Sequence, residues 1–540
     1  AAIRPIGYSR VVAELLVDPE TDVTATYAVD PARVRRLLRQ VVASPGAAQE
    51  TTYTPMTGAP LATFPISSRD DVEHAVAAAR IAQKAWARTS LETRARVLLG
   101  FHDRVLARQS ELLDIVQLES GKARRHAFEE VADCAIVARH YARRGSAYLK
   151  DARHLGAFPV LSQPVESHRP KGVIGIVSPW NYPLSLAITD ALPALMAGNA
   201  VVLRPDPQAT LSALLGVELL AEAGLPDGVF QVVLGHGEPT GQAVVDLADY
   251  VCFTGSTATG RKVAEAAGRR LVSFSLELGG KNALYVAPDA NLARAVEGAV
   301  RGCFSSAGQL CISAERVIVH TDIYDEFVEA FVAAVTAMRL GTGLHFGIDM
   351  GSLVSAKQLE TVTRHVEDAR AKGARVLAGG RARPDLGPYV YEPTVLEGVT
   401  STMECRDQET FGPVVSLYRV ASDAEAIALA NDTEYGLNSS IWTRDIARGR
   451  AIAAQIQTGT VNINEGYAAA WGSVGAPMGG MKASGVGRRH GREGILKYTE
   501  AQNVTVQHVV GFGGVRGVSD EMFAKALTLS LRALKALGVK

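Results

Sequence analysis

The stretch that decides the fold is VIGIVSPWNYPLSLAITDALPALMAGNAVVLRPDPQ, residues 173–208. Two short β-rich runs, 173–177 and 200–203, enclose a helical segment whose start is marked by Pro183-Leu184-Ser185. The pattern then repeats. A helix over 209–223 stops at Gly224, further β-rich runs follow at 230–234, 250–253 and 271–276, and Ser256-Thr257 starts another helix. Such alternation of strand and helix predicts a parallel, doubly wound sheet.

Outward from this centre, 70–118 carries apolar residues at helical spacing among many Ala, Arg and Glu, so packed helices are expected there. Residues 1–45 read as an N-terminal extension, with a helix-like 31–42 that ends near Ser44-Pro45-Gly46. On the other side, strands at 282–286, 316–319 and 414–418 and a long amphipathic helix at 323–338 predict a second α/β domain. The Gly-dense 472–494 reads as a packed loop, not a linker. Residues 519–540 place Phe523, Leu527, Leu531 and Leu534 on one helical face, with acids early and bases late as the helix dipole favours. Docking of this helix on the protein body is the favoured expectation, and membrane-surface attachment the alternative.

A chain of 540 residues supports two or three domains. Its 56 Lys and Arg balance 56 Asp and Glu, which argues against nucleic acid or an anionic membrane as a partner. The five cysteines form neither CxxC pairs nor Cys/His groupings, and the twelve histidines show no HxxxH spacing, so no metal is expected. Reduced thiols, no long uncharged apolar run and no secretory pattern at the start predict a cytoplasmic protein.

Cys311, in SSAGQLCIS, reads by itself as a core thiol, and Glu277, in LELGGKN, as a loop residue at the end of a strand where ligands gather. Their company changes both readings. PWNYP at 179–183, FTGSTATG at 253–260, LELGGK at 276–281, GQLC at 308–311 and ETFGP at 409–413 occur together, with Glu277 and Cys311 thirty-four residues apart. In this order the motifs resemble the aldehyde dehydrogenase superfamily, across most of the chain from about Thr51 to Thr505.

The resemblance implies an α/β fold: a Rossmann-type NAD(P)-binding domain at 46–143 and 171–279, a catalytic domain at 280–483 and β oligomerisation arms at 144–170 and 484–512, while the apolar spacing noted above places a C-terminal amphipathic helix within 513–540. A homodimer or homotetramer is implied with it. By the same likeness Cys311 attacks the aldehyde to give a thiohemiacetal and then a thioester, the Asn181 amide and the Cys311 N–H hold the oxyanion, and Glu277 is the general base. FTGSTATG is not GxGxxG, yet the family sets this loop against the pyrophosphate, which assigns Gly255, Ser256 and Gly260. Ser178, Trp180, Leu278, Glu409 and Phe411 complete that side, with Glu409 on the nicotinamide ribose; Phe411 equally suits packing. At the adenosine end Arg204 stands where Lys is usual and Pro207 where strict NAD enzymes carry Glu, which favours NADP over NAD, with Asp206 opposing.

Within the superfamily the sequence looks most like bacterial succinate-semialdehyde dehydrogenases, notably the actinobacterial second type, through YEPTV, ETFGPVVS and MGGMKASGVGRRHG. Where well-known members place Arg for the distal carboxylate, this chain has Thr189 and Ser305; a Lys and a Glu linked with proton transfer appear as Asp190 and Arg489. Arg489 is therefore a candidate for the substrate carboxylate, although GRRHGRE also reads as an exposed basic turn. Tyr182, Leu310 and Ile312 are expected in the pocket. The second reading is a broad aldehyde dehydrogenase for medium-chain or aromatic aldehydes; the third is a non-catalytic structural member of the fold.

Overall fold

The computed structural model describes residues 28–157, 162–508, 511 and 513–539. Strands are numbered in chain order. Five of them, β5 (Val173–Ser178), β6 (Ala200–Pro205), β7 (Phe230–Val232), β8 (Tyr250–Thr254) and β9 (Ser273–Glu277), pair in parallel in the order β9-β8-β5-β6-β7. The chain builds β5, β6 and β7 outward in one direction, then returns to place β8 and β9 on the other side of β5. The crevice between β5 and β8 is the switch point at which such sheets bind ligands. Every residue of β5 and β6 is buried, as the continuous apolar runs of a sheet covered on both faces require.

The helices that cover this sheet follow the predicted periodicity. Arg69–Trp86 starts in a capping box formed by Ser68 and Asp71, and Leu91–Ala107 is capped by Ser90. Thr210–Glu222 is apolar nearly all round and buried for eleven of its thirteen residues. In the N-terminal extension, Pro31–Leu38 forms a shorter helix than its sequence suggests. Val34 and Leu37 are buried against the body, and Arg33 pairs with Glu111 and Glu218 at 2.8 Å each. The first 27 residues of that extension lie outside the described residues.

A second sheet of seven strands has the order β12-β13-β14-β11-β10-β16-β17, with β10 (Asn282–Val286), β11 (Ala314–His320), β12 (Arg375–Ala378), β13 (Thr394–Glu397), β14 (Val414–Val420), β16 (Asn438–Trp442) and β17 (Thr460–Ile463). Only β12 runs antiparallel to its neighbour. The four residues 278–281 link β9 to β10, so the C-terminal end of the first sheet feeds directly into the N-terminal end of the second. That junction is where the chemistry-bearing motifs meet.

Two short pairs also form: β1 (Gln49–Tyr53) with β2 (Pro60–Pro65), and β15 (Tyr435–Gly436) with β18 (Met481–Lys482). The Gly-rich loop is packed, because β19 (Gly485–Val486) adds antiparallel to β9 and Ser484 is fully buried. An arm of three antiparallel strands projects from the body: β3 (Ala152–Arg153), β4 (Ser162–Pro170) and β20 (Thr499–Gln507), in the order β20-β4-β3. The C-terminal helix spans Asp520–Ala536 and buries none of its residues. Docking on this chain's body, the favoured expectation, is therefore not what the structure shows: the apolar stripe is present, and none of its residues is buried. Among the described residues no helix is long and apolar enough to cross a membrane.

Candidate active site

Cys311 sits in the loop between the helix Leu292–Phe304 and β11. Ser306, Ala307 and Gly308 in that loop are all left-handed, at φ 53, 56 and 70°. A Cβ at position 308 would lie 2.1 Å from the Gly412 carbonyl oxygen, so this turn needs glycine there. Gln309 braces the loop: its side-chain oxygen accepts from Val354 N–H at 3.0 Å, and its backbone carbonyl accepts from Asn181 Nδ2 at 3.0 Å. Asn181 is thereby aimed at the loop that carries the thiol. Asn282 Nδ2 donates to the Cys311 carbonyl at 2.7 Å, tying the same loop to β10.

Cys311 is partly exposed, whereas Cys134, Cys252, Cys303 and Cys405 are buried. Burial, with the charges of Glu277 and Glu409 added, pushes its thiol up to about 12. A group taking its proton is thus part of any nucleophilic role. Glu277, at the end of β9, is 7% exposed, and its Oε1 has no hydrogen-bond partner. Burial pushes its carboxyl up to about 7, with Asp190 adding to the rise and Arg489 and Lys497 opposing it. An unpaired carboxylate that titrates near neutrality is suited to general-base work.

One pocket opens on the thiol. Asn181, Tyr182, Leu186, Leu310, Ile312, Tyr467, Trp471, Met478 and Arg489 line it together with Cys311. The hydroxyls of Tyr182 and Tyr467 both donate to partly buried Glu129, at 3.2 and 2.8 Å, so the rings form the wall while the polar tips face away. The GRRHG turn departs from its exposed-turn reading, because Arg489 and His490 are buried and Arg489 pairs with Asp190. Thr189 and Ser305 are buried as well, and each hydroxyl donates back to its own helix.

On the other side of the thiol, the cofactor candidates surround the ends of β5, β6, β8 and β9. Trp180 and Phe411 meet edge to face with centroids 5.6 Å apart. Ser256 caps the helix Thr257–Arg269 and leaves its first turn exposed, which suits a phosphate. Gly260 packs on Leu278, where a Cβ would lie 2.5 Å from a Leu278 methyl, and Gly255 N–H donates to the Glu277 carbonyl at 3.0 Å. Glu409 accepts from Gly280 N–H at 2.8 Å, and burial beside Glu315 pushes its carboxyl up to about 8. Ser178 Oγ is buried without a partner at the end of β5. Arg204 is buried and donates from Nε to the Gly235 carbonyl at 2.7 Å, while Pro207 is buried at the start of a 3-10 turn capped by Asp206. Orphaned Ser178, the open helix start and the cramped glycines fit a dinucleotide.

Residues 42–504 match the model of the aldehyde dehydrogenase family. The chain belongs to that family. It is 53% identical over 481 residues, 89% of this chain and 93% of its relative, to a protein of Mycolicibacterium smegmatis provisionally named succinate-semialdehyde dehydrogenase (NADP+). Among solved structures, an NADP-dependent enzyme of E. coli is 34% identical with a TM-score of 0.83, covering 88% of this chain and 99% of that one. PnpE of Pseudomonas sp. WBC-3, in complex with nicotinamide adenine dinucleotide, is 37% identical with a TM-score of 0.81, covering 85% and 94%. The fold is accordingly the aldehyde dehydrogenase α/β fold, and the chain is an NAD(P)-dependent aldehyde dehydrogenase.

Several residues of this dehydrogenase escape a reading of the sequence. Glu315 accepts from the N–H groups of Thr410 and Phe411 at 3.0 and 2.9 Å and pairs with buried Lys281, so one carboxylate fixes the ETFGP loop. Glu130 accepts from Leu184 and Ser185 N–H at 2.8 and 3.0 Å and pairs with Lys122 at 2.6 Å, and Lys122 donates to the Asn181 carbonyl at 2.7 Å. The lysine inside LELGGKN was the available signal for the first group, since a buried lysine demands a carboxylate.

Proposed function

We propose that this dehydrogenase oxidises succinate semialdehyde to succinate, with NADP favoured over NAD. The observation that carries the reading is Arg489, the one cation among the side chains lining the pocket at Cys311. Only its Nη2 is engaged, with Asp190, so the rest of its five-donor fork is open to a substrate carboxylate. The provisional name of the mycobacterial relative supports the same substrate and cofactor. The apolar remainder of the lining, Leu186, Leu310, Ile312, Trp471 and Met478, favours the second reading of a broad aldehyde dehydrogenase.

The chemistry runs through this chain's own groups. Glu277 relieves Cys311 of its proton, and the sulfur bonds to the aldehyde carbon while Asn181 Nδ2–H and the Cys311 N–H stabilise the alkoxide. The bound dinucleotide, held by Ser256, Gly260, Trp180, Glu409 and Phe411, supplies the hydride acceptor. Glu277, having passed the thiol proton to solvent, then takes a proton from water, whose oxygen attacks the thioester carbon; the C–S bond breaks, that proton goes to the sulfur, and acid and thiol are released. The balance is aldehyde, NAD(P)+ and water to acid, NAD(P)H and a proton.

The test is kcat/KM for a panel of aldehydes with each cofactor, for wild type and Arg489→Ala. Succinate semialdehyde should lead the panel, NADP should exceed NAD, and the variant should raise KM for the semialdehyde at least about tenfold while sparing propanal. An unchanged KM removes Arg489 from the substrate site and leaves the broad reading. We also infer a homodimer or homotetramer, since β20 presents an unpaired edge that a monomer would expose.

A further inference from the structure

Glu277 is buried near an arginine and a lysine, yet its Oε1 is unpaired. Such a carboxylate ordinarily closes an ion pair with the nearest cation. Asp190, between the short helices Ser185–Ile188 and Ala191–Met196, accounts for the difference. It is buried, its Oδ2 accepts from Arg489 Nη2, and its Oδ1 lies 3.5 Å from Lys497 Nζ. Lys497 also donates to Ser275 Oγ at 3.3 Å. Arg489 thus has one side on the pocket at Cys311 and the other on a small polar cavity with Tyr141, Thr189, Asp190 and His490.

We propose that Asp190 is a positioning residue that keeps Arg489 and Lys497 off Glu277, so that the base enters each turnover with an unpaired carboxylate. Two carboxylates compete for two cations, and Asp190 holds both with its two oxygens. Arg488 faces Glu277 as well, and Asp190 does not hold it. Arg488 spends Nη1 on the Gly480 and Gly487 carbonyls at 3.0 and 2.7 Å, and Cys311 across the cleft is a neutral thiol at rest. His490 stays neutral, because burial, with Arg489 adding, pushes its imidazolium down to about 3. Burial opposes the charge on Asp190, but Arg489 and then Lys497 hold its carboxyl well below the usual range, so it stays ionised at every working pH. Once Asp190 is neutral, Arg489 is free to turn to Glu277, occupying its lone pairs and weakening it as a base.

The inference rests on Glu277 being the base, and Glu277→Gln run in parallel keeps the two apart: normal turnover in that variant removes the base assignment itself. The experiment measures steady-state pH profiles and stopped-flow NAD(P)H formation for Asp190→Asn and for Asp190→Asn/Arg489→Gln. Asp190→Asn should lower kcat at least about tenfold, move the acid limb down by about one pH unit, and show a burst of one NAD(P)H per site because hydrolysis has become slow. The double variant removes the competing cation together with its partner and should regain at least about threefold over the single one. A wild-type limb without a burst in Asp190→Asn overturns the proposal, and so does a loss that the second substitution leaves unrelieved. Should Asp190→Asn fail to fold, Arg489→Gln reads the same electrostatics from the other side: its acid limb must rise, and an unmoved limb overturns the assignment.

Discussion

At the scale of the residue, the chain divides the work between a thiol that burial keeps protonated and a carboxyl that burial brings near neutrality. Cys311 at about 12 and Glu277 at about 7 are both raised chiefly by burial. The sign of the pH dependence follows. With Glu277 as the proposed base, active when deprotonated, thioester hydrolysis should be complete above about 7 and fall about tenfold for each pH unit below it. Glu277→Gln should lower kcat by about 10² to 10⁴ and remove that acid limb, leaving at most one NAD(P)H per site. A steady state with wild-type kcat and limb would assign the base elsewhere. Cys311, Glu277 and Asn181 stand out in the sequence because each sits in a short motif. Arg489 reads there as a candidate for the substrate carboxylate, but its burial and its pairing are not legible: its partner Asp190 lies 299 residues away in sequence, and nothing in GRRHG announces that this turn is buried.

At the scale of the element, the strands of the first sheet fall within a residue or two of the β-rich runs, because both faces are covered and the runs are continuously apolar. The loops between elements carried much less signal. ETFGP is held by Glu315, at the start of β11, through the N–H groups of Thr410 and Phe411 and through Lys281. Phe411 in that loop is left-handed at φ 52°, a conformation that needs such bracing. Glu315→Ala leaves Lys281 as a buried unpaired charge, which costs about 3–5 kcal/mol. The expected outcome is a clear drop in Tm together with KM for the dinucleotide raised at least about tenfold, since Glu409 and Phe411 lose their support. Thermal melts and cofactor titration check it; an unchanged KM with a lowered Tm would confine Glu315 to stability.

At the scale of the whole molecule, two features extend beyond the body: the β3-β4-β20 arm and the C-terminal helix. Their amphipathic or strand-like patterns are legible in sequence, but what they meet is not, since a pattern names a face and not its partner. The arm carries the stronger demand. β20 is an edge strand, and Val504 and Val506 project from one of its faces at 48% and 50% exposure, so an open ladder edge and apolar side chains coincide. The tail helix presents apolar residues but no unpaired backbone, so it carries no comparable need. Light scattering should therefore find an oligomer for the wild type and for a chain lacking 519–540, with full activity in both. Val504→Lys/Val506→Lys should reduce it to monomers, because two charges on the edge strand oppose edge-to-edge pairing. A wild type that is monomeric at micromolar concentration would show that the arm folds without a partner. Dissociation on loss of the tail alone would move the interface from the arm to the helix.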